Sequence, residues 1–140
     1  MNPLWAFDGD GTIIGSIRND RLRSGTSELL SALAERRVKA VLWSAGGADY
    51  AALMADRHGI AHLFDAFYAK KSRGADGHYL TDHFQPEHRP TLFVDDSPDE
   101  MPSGSVVIGV AQFFGSNTAD RALWNLVERL DELLGAPAAR

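Results

Sequence analysis

Strand-like and helix-like signals alternate along this chain of 140 residues, and its apolar runs are short, unbroken and closed by turn residues. These two observations predict an α/β fold: a three-layer, doubly wound parallel sheet. Buried parallel strands read as continuous apolar runs, and successive parallel strands are joined by right-handed crossovers. A third observation locates the working edge. Two of the runs discharge into aspartates, at Asp8-Gly9-Asp10-Gly11-Thr12 and at Asp95-Asp96-Ser97-Pro98, and open parallel sheets bind ligands beyond the carboxyl ends of their strands.

The first strand is expected over residues 4–7. A helix follows over 26–37, where Leu29, Leu30, Leu33 and Ala34 mark one face and Thr26 or Ser27 is placed to cap the start. The second strand covers 38–43. A helix from about residue 48 to 58 ends at Gly59, a residue suited to a left-handed cap. Further strands are expected over 64–68, 91–94 and 106–110. The clearest period lies in 118–134, where Ala119, Ala122, Leu123, Leu126, Val127, Leu130 and Leu134 recur at helical spacing and Gly135 with Pro137 closes the pattern. Trp5 and Trp43 fall inside strand runs and read as core, and Trp124 as half-exposed. Residues 72–90 break the regularity with two glycines, two prolines, three histidines and no amphipathic period. A stretch of that kind inside a small domain is often functional, and it leaves room for a short hairpin or helix.

The length fits one compact domain over residues 1–140, with 136–140 as a frayed tail. The composition, 44% hydrophobic and 24% charged, is that of an ordinary globular protein. No apolar run approaches the roughly 18 residues of a spanning helix, and the N-terminus lacks a basic region ahead of an apolar one, so a cytoplasmic location is expected. The absence of cysteine excludes disulfides, thiolate nucleophiles and cysteine metal sites. A net charge of -5 argues against a broad nucleic-acid-binding surface.

Two carboxylates one residue apart after a strand oppose each other's ionisation unless a cation intervenes. The arrangement suits a hard divalent ion such as Mg²⁺ together with a phosphate ligand. The two acidic strand ends, about 85 residues apart, converge only if their strands are neighbours in one parallel sheet. Between them, Ala40-Val41-Leu42-Trp43 runs into Ser44-Ala45-Gly46-Gly47 ahead of a helix. A hydroxyl, exposed N–H groups and a helix N-terminus make an anion-binding site there. Lys70 or Lys71 supplies a cation to the same edge, and Lys70 is preferred because it directly follows an apolar run.

Together these positions resemble the haloacid dehalogenase (HAD) superfamily over about residues 3 to 110. Asp8-Gly9-Asp10-Gly11-Thr12 matches the DxDGT first motif, Ser44 the second, Lys70 or Lys71 the third and Asp95-Asp96 the acidic fourth. The resemblance implies a HAD-like Rossmannoid phosphatase in which Asp8 is the nucleophile that forms an aspartyl-phosphate and Asp10 the general acid and then base. It implies Mg²⁺ held by the Asp8 carboxylate, the Asp10 backbone carbonyl and Asp96, with Asp95 beside them in the acidic pair. Ser44 and the lysine would bind phosphate oxygens, with Gly9, Ala45, Gly46 and Lys71 as further substrate-binding positions. The presence of Asp10 implies phosphatase rather than dehalogenase chemistry. The tract Val94-Asp95-Asp96-Ser97-Pro98 is also similar to the VDNSP signature of phosphatases acting on the RNA polymerase C-terminal domain. Asp96 replaces the Asn, the DLDETL-type first motif is absent, and that narrower link carries little weight.

Only about 30 residues separate Thr12 from Ser44, and about 25 separate Ser44 from Lys70. The core's own elements fill both intervals, so no cap domain is expected. An open site admits a phosphorylated small molecule or the phosphorylated end of a macromolecule, or is covered by a second copy of the chain. Residues 15–24 occupy the place of a small flap, and its Arg18, Arg21 and Arg23 read as solvated rather than as substrate contacts. Asp99 and Glu100 read as residues of a helix first turn. His78, His83 and His88, five apart, share no helical face and read as surface histidines. A regulatory module that binds phosphate and metal with little turnover is the alternative. A response-regulator receiver domain is disfavoured, because its acidic pair precedes the phosphorylated aspartate.

Overall fold

The computed structural model describes residues 3–16, 19–117 and 119–135. In chain order it contains β1 (Leu4–Asp8), a hairpin of β2 (Ile14–Ser16) and β3 (Asn19–Leu22), α1 (Thr26–Glu35), β4 (Lys39–Ser44), α2 (Ala48–Arg57), β5 (Ala66–Ala69), β6 (Leu92–Asp95), β7 (Val107–Gly109), α3 (Ala122–Glu128) and α4 (Leu130–Leu133). Five strands form one parallel sheet in the order β5-β4-β1-β6-β7. The chain winds outward from β1 through β4 to β5, then returns to lay β6 and β7 on the other side. The connections leaving the neighbouring strands β1 and β6 therefore run in opposite directions and open a crevice where α/β sheets bind ligands. Phe7 pairs with both Leu42 and Val94, which brings Asp8 and Asp95 side by side at that crevice.

Alternation along the strands divides the core in two. Trp5, Phe7, Leu42 and Val94 pack on one face with Leu29 and Leu33 of α1, Met54 of α2, Leu123 of α3 and Leu130 of α4. Leu4, Ala6, Val41, Trp43 and Phe93 point the other way, onto Phe84, Met101 and the half-buried Tyr79. Among the described residues no α-helix covers this second face. It is covered by residues 72–90, whose only helical piece is the 3-10 turn Pro86–His88. The Phe84 ring stacks on Tyr68 at 4.0 Å and meets Trp43 edge-on at 5.5 Å.

The histidines of this segment are not free surface groups. His83 Nε2 lies 2.6 Å from the Ala69 carbonyl, His78 Nδ1 2.7 Å from the Met101 carbonyl, and His88 Nδ1 2.6 Å from the Tyr68 hydroxyl. They tie a segment without α-helix to β5 beneath it and to the chain that follows the 3-10 turn Pro98–Glu100.

Three further local expectations are corrected. α1 has Gly25, at φ 92°, as its N-cap and no side-chain cap; the Thr26 hydroxyl instead donates to the Arg23 carbonyl at 2.7 Å. A Cβ at Gly25 would stand 3.0 Å from the Trp124 backbone nitrogen, so close approach of α3 demands glycine there. The single helix expected over 118–134 begins at Ala122 and breaks at Arg129 into α3 and α4; Thr118 and residues 136–140 lie outside the described residues. Its expected first turn is redirected because Asp120 is drawn to Arg23, which is buried rather than solvated and meets Asp120 through two hydrogen bonds of 2.7 and 2.8 Å. Arg23 also donates to the Thr12 carbonyl at 3.0 Å and so braces the turn after β1. Arg21 is exposed, and Arg18 lies outside the described residues.

Candidate active site

The turn after β1 is closed by Gly9, whose carbonyl accepts the N–H groups of Thr12, Ile13 and Ile14 at 3.0 to 3.2 Å. Gly11 follows with φ 86°, and a Cβ on it would lie 2.6 Å from Asp96 Oδ2. Glycine therefore serves twice at this position: it permits the left-handed turn and lets the Asp96 carboxylate approach the β1 loop.

Three carboxylates converge beneath this turn. Asp8, Asp95 and Asp96 each present an oxygen within 4.8 Å of the others. Lys70, at the end of β5, reaches across with its Nζ 2.7 Å from Asp8 Oδ1 and 2.9 Å from Asp95 Oδ2. Its backbone is fixed by an N–H bond of 2.9 Å to the Ser44 carbonyl, and its ammonium lies 5.2 Å from the ring centres of both Trp43 and Tyr79. The Thr12 hydroxyl stands 2.9 Å from Asp8 Oδ2 and 3.0 Å from Asp96 Oδ1, and accepts the Asp96 N–H at 3.0 Å. One hydroxyl hydrogen thus serves two acids. Asp95 Oδ1 accepts the Ser97 N–H at 2.7 Å, so both Asp95 oxygens are engaged.

Burial dominates the electrostatics. It pushes the Asp8 carboxyl up to about 8 against the pull of Lys70, with Asp95 adding to the rise. Burial likewise raises Asp95. On Lys70 burial acts downward, but Asp8 and Asp95 outweigh it and the ammonium is held above its ordinary value. Once ionised, three carboxylates facing one ammonium carry a surplus of two negative charges, and the donors are hard oxygens. That set fits a divalent cation such as Mg²⁺.

The cleft above this cluster holds about 190 Å³ and is lined by Asp8, Asp10, Ser44, Ala45, Gly46, Lys70, Asp95, Asp96, Ser97 and Glu100. Ser44 ends β4, and its Oγ accepts the Gly46 N–H at 3.0 Å. Asp10 is half-exposed, and its Oδ1 accepts the Tyr50 hydroxyl at 2.8 Å. Nine of the residues singled out from sequence sit here or beneath the turn. Gly9 is buried under the loop, and Lys71 is exposed and outside the lining. Sequence reading missed the bridging of Thr12, the reach of Tyr50 and the lining positions of Ser97 and Glu100. Only Thr12 carried a signal, as the last residue of the DxDGT turn. Asp99 and Glu100 fall in the 3-10 turn Pro98–Glu100, with Asp99 exposed. A larger depression of about 450 Å³ lies around residue 39, where β4 begins, and gathers no comparable cluster; its Lys39 is paired with Asp65 at 3.7 Å.

A family model described as NLI interacting factor-like phosphatase matches residues 13–140. The matched span contains Ser44, Lys70 and the Val94–Pro98 tract, and starts just after the two aspartates of the first turn. Among solved structures, an uncharacterized protein from Listeria monocytogenes serotype 4b is similar at a TM-score of 0.59 and 16% identity, over 95% of this chain and 99% of that one. The HAD domain of the effector protein Lem4 from Legionella pneumophila is similar at 0.58 and 17% identity, over 96% of this chain and 94% of that one. Among curated proteins none matches. The structural likenesses establish a HAD-type α/β fold, and the intervals between motifs hold only core elements and the β2–β3 hairpin, with no cap evident among the described residues. No helix among the described residues is long and apolar enough to cross a membrane.

Proposed function

The chain belongs to the NLI interacting factor-like phosphatase family, and on that premise we propose that it hydrolyses phosphomonoesters with Mg²⁺ through an aspartyl-phosphate on Asp8. The observation that carries this reading is the difference between two carboxyls on one turn. Asp8 is buried and held at both oxygens by Lys70 and Thr12, whereas Asp10 is half-exposed at the same cleft with one oxygen held. A fixed carboxylate suits attack on phosphorus, and a partly free one suits proton transfer.

In the first step an Asp8 oxygen forms a bond to phosphorus as the ester P–O bond breaks, and Asp10 gives its proton to the departing oxygen. In the second, Asp10 takes a proton from water, which attacks the phosphorus and releases phosphate from Asp8. Ser44 Oγ and Lys70 Nζ meet the non-bridging oxygens, a fixed set of donors where charge accumulates. Asp8, Asp96 and the Asp10 backbone carbonyl are the groups proposed to hold Mg²⁺. When bound, the ion neutralises charge between the carboxylates and an incoming phosphate. Asp95, with both oxygens engaged by Lys70 and Ser97, aims the lysine. The open cleft admits a phosphate carried by a small molecule or by a macromolecule.

The test is hydrolysis of phosphorylated metabolites, nucleotides, phosphopeptides and nucleic-acid ends with and without Mg²⁺, with beryllofluoride trapping at Asp8. Asp8→Asn is expected to lower turnover by at least about 10³-fold while the protein stays folded. Absence of hydrolysis across the panel, with no beryllofluoride bound, would overturn the reading.

A further inference from the structure

The Asp10 carboxyl has one hydrogen-bond partner among the described residues, and it comes from a different element. Tyr50, in the first turn of α2, donates its hydroxyl to Asp10 Oδ1 at 2.8 Å. Two features fix that hydroxyl in place. The Tyr50 ring packs against the core cluster under the helical face. On its other side it lies over Gly46, where a Cβ would come within 2.8 Å of Tyr50 Cδ2 and 3.4 Å of Ser44 Oγ. A side chain at position 46 would displace the ring and lie in contact with the Ser44 hydroxyl. Ser44, Gly46, Tyr50 and Asp10 thus form one packed unit at the cleft.

We propose that Tyr50 is a positioning residue for the general acid: by occupying Asp10 Oδ1 it leaves Oδ2 as the oxygen that carries and transfers the proton. This rests on the phosphatase reading above. A carboxyl with two equivalent free oxygens can present its proton in several orientations, and only some face the leaving group. With Oδ1 held by a donor, the neutral acid keeps its O–H on Oδ2, which gives that proton to the departing oxygen as the P–O bond breaks. Tyr50 itself remains a donor throughout, since a phenol keeps its proton at neutral pH.

Leaving-group sensitivity isolates this role. An alkyl phosphate has a poor leaving group that needs the proton, whereas a nitrophenyl phosphate departs largely without it. The constant kcat/KM reports steps up to leaving-group departure and so excludes the later hydrolysis of the phosphoenzyme. Tyr50→Phe removes the hydroxyl and keeps the ring. It is expected to lower kcat/KM about 10-fold or more for an alkyl phosphate and less than about 3-fold for nitrophenyl phosphate, out of the 10²–10⁴ typical of general acid catalysis. Added to Asp10→Asn, which has no proton to give, Tyr50→Phe is expected to cost less than about 2-fold further on the alkyl ester. Equal losses on both esters, no loss on either, or a full multiplicative loss in the double variant overturns the positioning role while the phosphatase reading stands. A wild-type protein inactive on both esters overturns the two together.

Discussion

The two faces of the sheet are covered by different kinds of structure, and each builds a different half of the site. Helices α1 to α4 cover one face with aliphatic side chains at regular spacing, and from that layer α2 sends Tyr50 to Asp10. The other face is covered by a segment without α-helix, anchored by a few aromatics and histidines, and from that side Tyr79 and Trp43 flank Lys70. The half of the cleft around Asp10, proposed to handle the proton, therefore leans on cooperative, locally bonded structure. The cationic half leans on isolated long-range contacts, each of which carries a larger share.

Lys70 is where that dependence is most concentrated. Lys70→Met keeps the length of the side chain but leaves Asp8 and Asp95 buried beside each other without a cation. Removing one partner of a buried ion pair costs about 3–5 kcal/mol, and loss of phosphate contact abolishes turnover on the proposed mechanism. The cost depends on pH, with a definite sign. Burial raises Asp8 above its unfolded value, so the stability it contributes is fully present below about pH 4 and is lost as pH rises through its folded value of about 8. Without Lys70 that loss deepens, since the pull favouring the carboxylate is gone. Denaturant unfolding of metal-free protein is expected to show the variant closest to wild type at pH 4 to 5 and furthest from it at pH 8. A penalty independent of pH would show that Lys70 acts through packing alone.

Phe84 tests the asymmetry of the two layers directly. It is 5% exposed and contacts Trp43, Tyr68 and His83, while Leu33, fully buried in α1, sits among many aliphatic neighbours. Phe84→Ala is expected to cost about 3–5 kcal/mol and Leu33→Ala about 2–5, so global stability alone separates them poorly. Activity separates them. Loss of Phe84 frees the segment that holds Tyr79 over Lys70, and kcat is expected to fall by about 10-fold or more under conditions where the variant is folded, whereas Leu33→Ala stays within about 3-fold of wild type. Equal activity in the two variants would show that Lys70 is positioned without help from the irregular layer.

The same contrast decides what the sequence disclosed. α1 and α2 were readable because Leu29, Leu30 and Leu33, or Ala51, Met54 and Ala55, repeat at the spacing the sheet face demands, and Gly59 at φ 71° marks an end. The strand ends were readable because Asp8, Ser44, Lys70 and Asp95 each follow directly on an apolar run. Residues 72–90 were not, because their order comes from contacts such as His83 with the Ala69 carbonyl and His78 with the Met101 carbonyl, which leave no period. Burial of Arg23 was hidden for a related reason: its partner Asp120 lies 97 residues away, and a flap arginine looks solvated until that partner is placed. Tyr50 was hidden because its ring follows the core pattern while its hydroxyl serves the cleft.

The smallest effects expected are at the two exposed ion pairs that clamp these layers. Arg36, at the end of α1, pairs with Asp131 of α4 at 2.8 Å, and Arg73 pairs with Glu100 at 2.9 Å. Both are solvated, so Asp131→Ala and Arg73→Ala are each expected to change global stability by less than about 1 kcal/mol. Their local consequences differ. The end of α1 keeps its ladder bonds without Asp131. Arg73 also donates to the Gly77 carbonyl at 2.9 Å and lies over the Tyr79 ring at 4.2 Å, in a turn closed by the Gly74 N–H to His78 and the Leu80 N–H to Ser72. Hydrogen exchange at Gly74 and Leu80 is expected to accelerate in Arg73→Ala, while the amides of α1 and α4 keep their rates in Asp131→Ala. Unchanged exchange at Gly74 and Leu80 would mean that the turn holds without its clamp, and that the irregular layer owes its order to Phe84 and the histidines alone.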